Sequence, residues 1–108
     1  MPKSKTESYI GFCRKAGRLT CGFNAIETLK KDVYLLLLCG TTTENGKKSA
    51  DKLRRRFGCE MLVACGKRLE EYTGKSGCKL AAVRDINLAK AILSVEDENF
   101  RKYSGGKI

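Results

Sequence analysis

The sequence predicts an α/β fold, a three-layer α/β/α sandwich around a small mixed sheet. Segments with helical spacing of apolar residues alternate along the chain with short apolar runs of strand length. One run, residues 33–39 (VYLLLLC), is apolar throughout and is followed by Gly40. An uninterrupted run of that length is typical of a strand buried on both faces. A sheet that contains such a strand needs helices on each side.

The elements of the first half are predicted from apolar spacing and from the residues at their ends. Ile10 and Cys13 share one face of a first helix, which Gly17 ends. A very short strand follows, and the turn after Gly22 opens a second helix. The predicted helices of this half cover residues 6–16, 23–31 and 43–57, and the strands cover 19–21 and 33–39.

The helix over 43–57 is predicted to be amphipathic, with Thr43 in its N-terminal cap region. Its apolar side carries Ala50, Leu53 and Phe57, and its other side carries Lys48, Lys52, Arg55 and Arg56. In the second half, strands are predicted over 61–65 and 79–84 and helices over 68–73 and 87–95. The last helix is capped by Asp85 or Asn87.

The chain has the length of a single domain. The domain is predicted to cover residues 1–95. Residues 96–108 turn polar and include Ser104-Gly105-Gly106, so they are predicted to form a mobile tail.

The charge balance favours a polyanionic partner. Lys and Arg number 22 against 12 for Asp and Glu, which gives a net charge of +10. Because there is no His, this charge hardly changes between about pH 5 and 8. Residues 1–58 hold 13 basic and 5 acidic side chains, whereas residues 59–108 hold 9 and 7. The positive surface is therefore expected mainly from the first half, and it suits nucleic acid or an anionic membrane surface.

The six cysteines indicate a reducing compartment and no metal site. The start of the chain has no apolar leader segment, no CxxC pair occurs and there is no His. Most thiols, including Cys39, Cys59 and Cys65 beside apolar runs, are expected to be free and buried. No apolar run approaches the roughly 20 residues of a transmembrane helix. The expected location is cytoplasmic, without membrane contact.

No catalytic machinery or cofactor is predicted. Without His there is no Ser-His or Cys-His pair. Residues 74–77 (GKSG) resemble the end of a phosphate-binding loop, but Leu69 stands where the motif needs its first glycine. Glu70 and Glu71 are adjacent on a predicted helix, so their carboxylates point about 100 degrees apart. The protein is therefore expected not to be an enzyme.

Three glycine-containing turns carry basic or polar residues: 17–24, 42–48 and 74–79. The helix start after Gly22 offers free N–H groups to a phosphate, and Lys47 and Lys48 add charge to the second turn. Any one of these turns alone is equally consistent with an ordinary turn in a lysine-rich protein.

Taken in order, these motifs resemble a known RNA-binding family. They are IGFCRKAGRLTCG, LLLLCG, TTTENGKKSADKL, and RLEEYTGK before KLAAVRD. They resemble the kink-turn-binding ribosomal family of large-subunit proteins seven-Ae and thirty-e, and are most similar to the bacterial stand-alone YlxQ-type members. The resemblance covers roughly residues 7 to 95.

The resemblance implies a thirty-e-like fold that grips bent RNA with the turn opening the second helix and the loop before the last strand. The family's first site reads G-x-N-E-x-x-K, which Gly22 and Asn24 match. Ala25 and Thr28 replace its carboxylate and lysine, so the resemblance implies RNA binding and leaves kink-turn specificity open. Glu70, where the family usually has glycine, is expected to reshape the third turn.

We therefore predict a monomeric, non-catalytic protein that binds RNA in the ribosome or with translation factors. The expected RNA-binding residues are Arg18, Gly22, Phe23, Asn24, Thr28, Lys31, Lys47, Lys48, Lys75, Ser76 and Gly77. Two alternatives stay open: a protein-interaction module of the translation apparatus with a degenerate RNA site, and the accessory RNA-binding domain of an RNA methyltransferase.

Overall fold

Helices and strands alternate along residues 4–103, the part of the chain that the structure, a computed structural model, describes. The helices are α1 (Lys5–Lys15), α2 (Phe23–Glu27), α3 (Glu44–Phe57), α4 (Leu69–Thr73) and α5 (Ile86–Ser94). The strands are β1 (Leu19–Cys21), β2 (Leu35–Cys39), β3 (Glu60–Ala64), β4 (Leu80–Val83) and β5 (Phe100–Lys102). The predicted order of elements is confirmed, and one strand is added at the end.

The strands form one mixed sheet in the order β1-β4-β2-β3-β5. Only β2 and β3 pair in parallel, and the other neighbours are antiparallel. Because β1, β2 and β3 end where β4 and β5 begin, the loops divide between two ends of the sheet. The end that we call the upper end consists of the loops at residues 22–24, 40–43, 65–68 and 74–79. The opposite end, which we call the lower end, consists of the loops at residues 16–18, 30–34, 58–59 and 84–85.

Strand β2 lies at the centre of two hydrophobic cores. All five of its residues are buried. Leu35 and Leu37 face a core shared with α1, α4 and α5, whereas Leu36 and Leu38 face a core shared with α2 and α3. Helices thus cover both faces of the sheet, which confirms the predicted three-layer α/β/α sandwich.

The starts of α3 and α5 have the predicted caps. The hydroxyl of Thr43 accepts the Gly46 N–H of α3, and the carboxylate of Asp85 accepts the Leu88 N–H of α5 at 3.0 Å. Gly46 weakens a helix by itself, and a Cβ at this position would meet the side chain of Thr42, which would have to shift. These bonds satisfy N–H groups that have no partner inside the helix.

Helix α2 ends at Glu27, four residues before the predicted end at residue 31. The guanidinium of Arg56, on α3, donates to the carbonyls of Glu27 and Leu29 at 3.0 and 2.7 Å. A side chain distant in sequence therefore satisfies carbonyls that a longer helix would have bonded within itself. Asp32 then turns the chain with φ of 64° before β2 begins.

The prediction of a mobile tail from residue 96 is wrong for its described part. Residues 100–102 form β5, which pairs with β3. Phe100 is 8% exposed, and its ring centroid lies 4.9 Å from that of Tyr72. The domain therefore continues beyond residue 95. The remainder of the predicted tail, residues 104–108, lies outside the described residues.

The cysteine prediction is confirmed in part. All six thiols are free, and Cys39 is buried. Cys59 is only half-buried and Cys65 is exposed, so the expectation of burial is wrong for Cys65. Between residues 4 and 103, no helix has the length and apolar character that crossing a membrane requires.

Replacing Phe100 tests whether β5 belongs to the folded core. We expect Phe100→Ala to lower the free energy of unfolding by about 3–5 kcal/mol, because it removes a buried ring. Chemical denaturation measures the change. Arg101→Ala, at the exposed next position of the same strand, is the control and should change stability by less than about 0.5 kcal/mol. Equal stability of the two variants would contradict a structural role for β5.

Candidate nucleic-acid interface

The upper end brings together two of the turns that the sequence singles out. Strand β1 pairs with β4, with Cys21 opposite Ala81. Beyond this pair, the N–H of Gly22 donates to the carbonyl of Leu80 at 2.8 Å. The turn at 22–24 therefore lies beside the loop at 74–79, although some 50 residues of chain separate them.

The turn at 22–24 combines a strained position with one exposed amide. Gly22 caps α2 with φ of 97°, a backbone conformation that favours glycine. Phe23 packs partly against the core shared with α2 and α3, so it anchors the turn. Asn24 is exposed. The hydroxyl of Thr28 donates to the carbonyl of Ala25 at 2.7 Å, which uses its donor within the helix.

The loop at 74–79 presents exposed backbone and a cation. Gly74 and Gly77 have φ of 74° and 75°, so the loop depends on two glycines. Lys75, Ser76 and Gly77 are all exposed. The guanidinium of Arg14, from α1, lies against Gly74 so closely that a Cβ there would collide with it. This contact brings an arginine to the loop that the sequence did not indicate.

The side chain of Glu70 forms a hydrogen bond with the backbone of this loop. Its carboxylate accepts the N–H of Gly77 at 2.9 Å and lies 3.6 Å from the guanidinium of Arg68. The expected effect of Glu70 on the third turn thus has a structural basis. One loop N–H that could donate to a phosphate is instead satisfied by an internal carboxylate.

The loop at 40–43 joins the same surface through Lys79. The ammonium of Lys79 donates to the hydroxyl of Thr41 at 3.0 Å. The backbone carbonyl of Lys79 accepts the N–H of Cys39 at 2.8 Å. Lys48 is exposed near the start of α3, whereas Lys47 is half-buried and lies 3.7 Å from the carboxylate of Glu44. Lys48 is therefore the freer cation of that pair.

Two of the predicted RNA-binding residues do not belong to this surface. Arg18 precedes β1, and its carbonyl accepts the N–H of Arg84 at the lower end. Lys31 precedes β2 and lines a groove with Gly58, also at the lower end. The sequence prediction grouped residues by distance along the chain, but residues before and after a strand lie at opposite ends of it. Arg18 and Lys31 are thus corrected to a separate location.

Arg14 and Thr41 lie at the upper end but outside the three turns that the sequence prediction named, and Lys79 ends the third turn but was not among the expected RNA-binding residues. Lys79 falls inside a predicted strand, and only the register of that strand relative to β2 brings it to Thr41. Arg14 lies in a helix whose contact with Gly74 depends on the packing of α1 against α4. No local motif indicates either contact.

A pair of thiols lies beneath the two loops. The neighbouring thiols of Cys21 and Cys78 shift each other's pKa, lowering that of Cys78 and raising that of Cys21, and burial raises the pKa of Cys21 further. The thiol of Cys78 donates to the carbonyl of Leu80 at 3.4 Å. The hydroxyl of Thr73 accepts the N–H of Lys75 at 3.3 Å, so short polar contacts hold both sides of the third loop.

The upper end presents hydrogen-bonding groups and positive charge. It offers ammonium and guanidinium donors, exposed backbone and one side-chain amide that can both donate and accept. Among residues 4–103, no group of three or more His, Cys, Asp or Glu side chains is arranged to hold a metal ion. Such donors suit phosphates and base edges.

Comparison with known proteins bears on the fold. No protein-family model matches the chain, and no curated protein matches it. A solved structure, described as that of a protein with unknown function from Bacillus halodurans C, aligns with this chain at a TM-score of 0.70. The alignment has 20% sequence identity and covers 85% of this chain and 96% of that chain. At this identity the likeness shows a shared fold.

Removing the Glu70 carboxylate should loosen the third loop. We expect Glu70→Ala to speed hydrogen exchange at the Gly77 amide roughly tenfold, because a charge-assisted hydrogen bond contributes about 1.5 kcal/mol. Glu70→Gln keeps an acceptor at that position and should change the rate less than about threefold. Exchange followed by NMR measures both variants. Equal rates in all three proteins would contradict the closing role of Glu70.

Proposed function

We propose that this is a non-catalytic RNA-binding protein whose upper end grips structured or kinked RNA. The observation that carries the proposal is the 2.8 Å hydrogen bond between Gly22 N and Leu80 O, which sets the turn at 22–24 beside the loop at 74–79. Two adjacent exposed loops with glycine, lysine and amide residues suit a bent phosphate backbone, which a flat surface would contact at fewer points.

Phosphate contacts supply most of the affinity in this proposal. Lys48 and Lys75 are exposed, and Lys79 lies between the second and third loops. The net charge of +10 steers RNA to the surface. Each phosphate that a lysine neutralises releases counterions, so binding weakens as salt increases.

Orientation and selectivity come from Asn24 and the shape of the two loops. An exposed amide can donate to and accept from a base edge at once. The family's carboxylate and lysine are replaced by Ala25 and Thr28, and the Thr28 hydroxyl is used within α2. We therefore propose that RNA shape contributes more to selectivity than guanine reading does.

The resemblance to the kink-turn-binding ribosomal family supports a role in translation. In this proposal the chain acts as a monomer on ribosomal or other structured RNA in the cytoplasm, where glutathione keeps its six thiols reduced. It uses no cofactor.

A second candidate is a protein-interaction module of the translation apparatus. The observation that favours it is the contact of Glu70 with Gly77, which places a carboxylate in the third loop and occupies one backbone donor. Such a module would show no saturable RNA binding at physiological salt. A pull-down of its partner would survive ribonuclease.

A fluorescence-anisotropy titration separates the two candidates. The RNAs are a kink-turn, a straight duplex of equal length and a loop-bearing RNA, each at two salt concentrations. The proposal expects tighter, saturable binding to a bent or loop-bearing RNA that persists at the higher salt. Equal, salt-labile binding to all three would mean that the net charge gives only nonspecific attraction.

Two single variants test the upper end in this assay. Lys75→Ala should lower the slope of log K against log salt by about 0.9, the change for one phosphate contact. Asn24→Ala should reduce discrimination among RNAs by about 1–3 kcal/mol, roughly 5- to 150-fold. Lys90→Ala, at an exposed position midway along α5, is the charge control. If both variants bind as Lys90→Ala does, the upper end is not the RNA site.

A further inference from the structure

A groove at the lower end concentrates positive charge away from the upper end. It has a volume of about 760 Å³ and runs between the loop before β2 and the C-terminal turn of α3. Its charged lining residues are Lys30, Lys31, Arg54, Arg55 and Arg56 against Asp32 and Glu60. Five cations against two carboxylates leave the groove strongly positive.

The two carboxylates offset only part of the positive charge of the groove. Asp32 accepts a hydrogen bond from the hydroxyl of Tyr34 at 3.2 Å. Glu60 lies 3.7 Å from the ammonium of Lys102, on the neighbouring strand β5. The residues Lys30 and Lys31 are exposed in the loop that forms one wall. They add their charge directly to the opening of the groove.

The three arginines at the end of α3, Arg54, Arg55 and Arg56, carry more positive charge than the nearby carboxylate of Asp51 neutralises. Arg54 and Arg55 share one carboxylate, Asp51, at 2.8 and 2.9 Å. The C-terminus of a helix adds only about half a negative charge. Arg55 is also largely exposed, with 66% of its side chain accessible. After these interactions the end of α3 still carries excess positive charge.

The groove is held in shape by Arg56. Its guanidinium donates to the carbonyls of Glu27 and Leu29 and lies 4.7 Å from the ring centroid of Phe57. These contacts connect the end of α3, which forms one side of the groove, to the chain that leads from α2 into the loop before β2, which forms the other side. A surface fixed in this way loses little conformational entropy when a ligand binds.

The lining favours a phosphate backbone over a protein partner. Guanidinium groups pair with phosphate oxygens in a bidentate geometry. Protein interfaces usually depend on buried aromatic or aliphatic anchors. Within residues 4–103, the large apolar side chains that are exposed are Phe12 and Ile86, and neither lines the groove.

We propose that the lower-end groove is a second RNA-binding surface, which contacts the phosphate backbone and lets one chain hold two RNA segments. The inference takes RNA as the polyanion from the proposed function and otherwise rests on the groove itself. The five residues of β2 separate the two ends by about 17 Å. That is about twice the screening length of roughly 8 Å at physiological salt, so the two surfaces attract RNA independently.

The test compares double variants of the full-length protein, in which the lower-end variant and the control each remove two positive charges and the upper-end variant removes one. The lower-end variant is Lys30→Ala with Lys31→Ala, and the upper-end variant is Asn24→Ala with Lys75→Ala. The control is Lys52→Ala with Lys90→Ala, which removes two exposed lysines from the middle of α3 and α5. Energy transfer between two separately labelled RNAs, a bent or loop-bearing RNA and a straight duplex, measures bridging by the protein.

We expect the lower-end variant to lose most of the bridging signal, more than about fivefold relative to the control, and to keep its selectivity for the bent or loop-bearing RNA. Its salt slope on the straight duplex should fall by about 0.9 for each phosphate that the substituted lysines no longer neutralise. Bridging and salt slope equal to those of the control would overturn the second surface, and an acidic protein would then be the better partner for the groove.

The upper-end variant keeps the two proposals distinguishable. If it loses selectivity but still binds the straight duplex, both surfaces act as proposed. If it keeps selectivity while the lower-end variant loses bridging, the proposed function of the upper end is wrong and the groove stands. Circular dichroism of each variant checks that it is folded, and all six substitutions are at exposed positions.

Discussion

The pairing of β1 with β4 is the interaction on which the candidate site depends. Strand β1 has three residues, and it joins the sheet only along β4. The hydrogen bond from Gly22 to Leu80 extends this pairing into the loops. Without it, the turn at 22–24 and the loop at 74–79 would have no fixed relation. The central strand β2 provides the stable support, because both of its faces are buried under helices.

Much of the fold could be predicted from local signals, and the failures have tertiary causes. The run over 33–39 and the caps at Thr43 and Asp85 indicate their structure within a few residues. The end of α2 could not be predicted in this way, because Arg56 from another helix satisfies its carbonyls. Strand β5 was missed because only Phe100 of its three residues enters the core, which is too few to give a periodic pattern.

The candidate site was predicted in part for the same reason. Asn24 and Lys75 could be assigned to one candidate site because each lies in a glycine-containing turn, and the structure brings the two turns together. Arg18 and Lys31 were grouped with them wrongly, since the direction of each strand decides at which end its neighbours lie. That direction follows from the sheet order, which no local motif contains. Two regions of positive charge at opposite ends of one sheet result from the same topology.

Because β1 is short, it opens locally more easily than the rest of the sheet as temperature rises. An edge strand held by three residues opens at a lower free energy than the doubly covered centre of the sheet. When β1 detaches, the two loops separate while the core around β2 stays intact. The fixed position of the two loops relative to each other is therefore lost on warming before the molecule melts as a whole. A ligand that holds both loops acts in the opposite direction, as a clamp that raises the free energy of this opening.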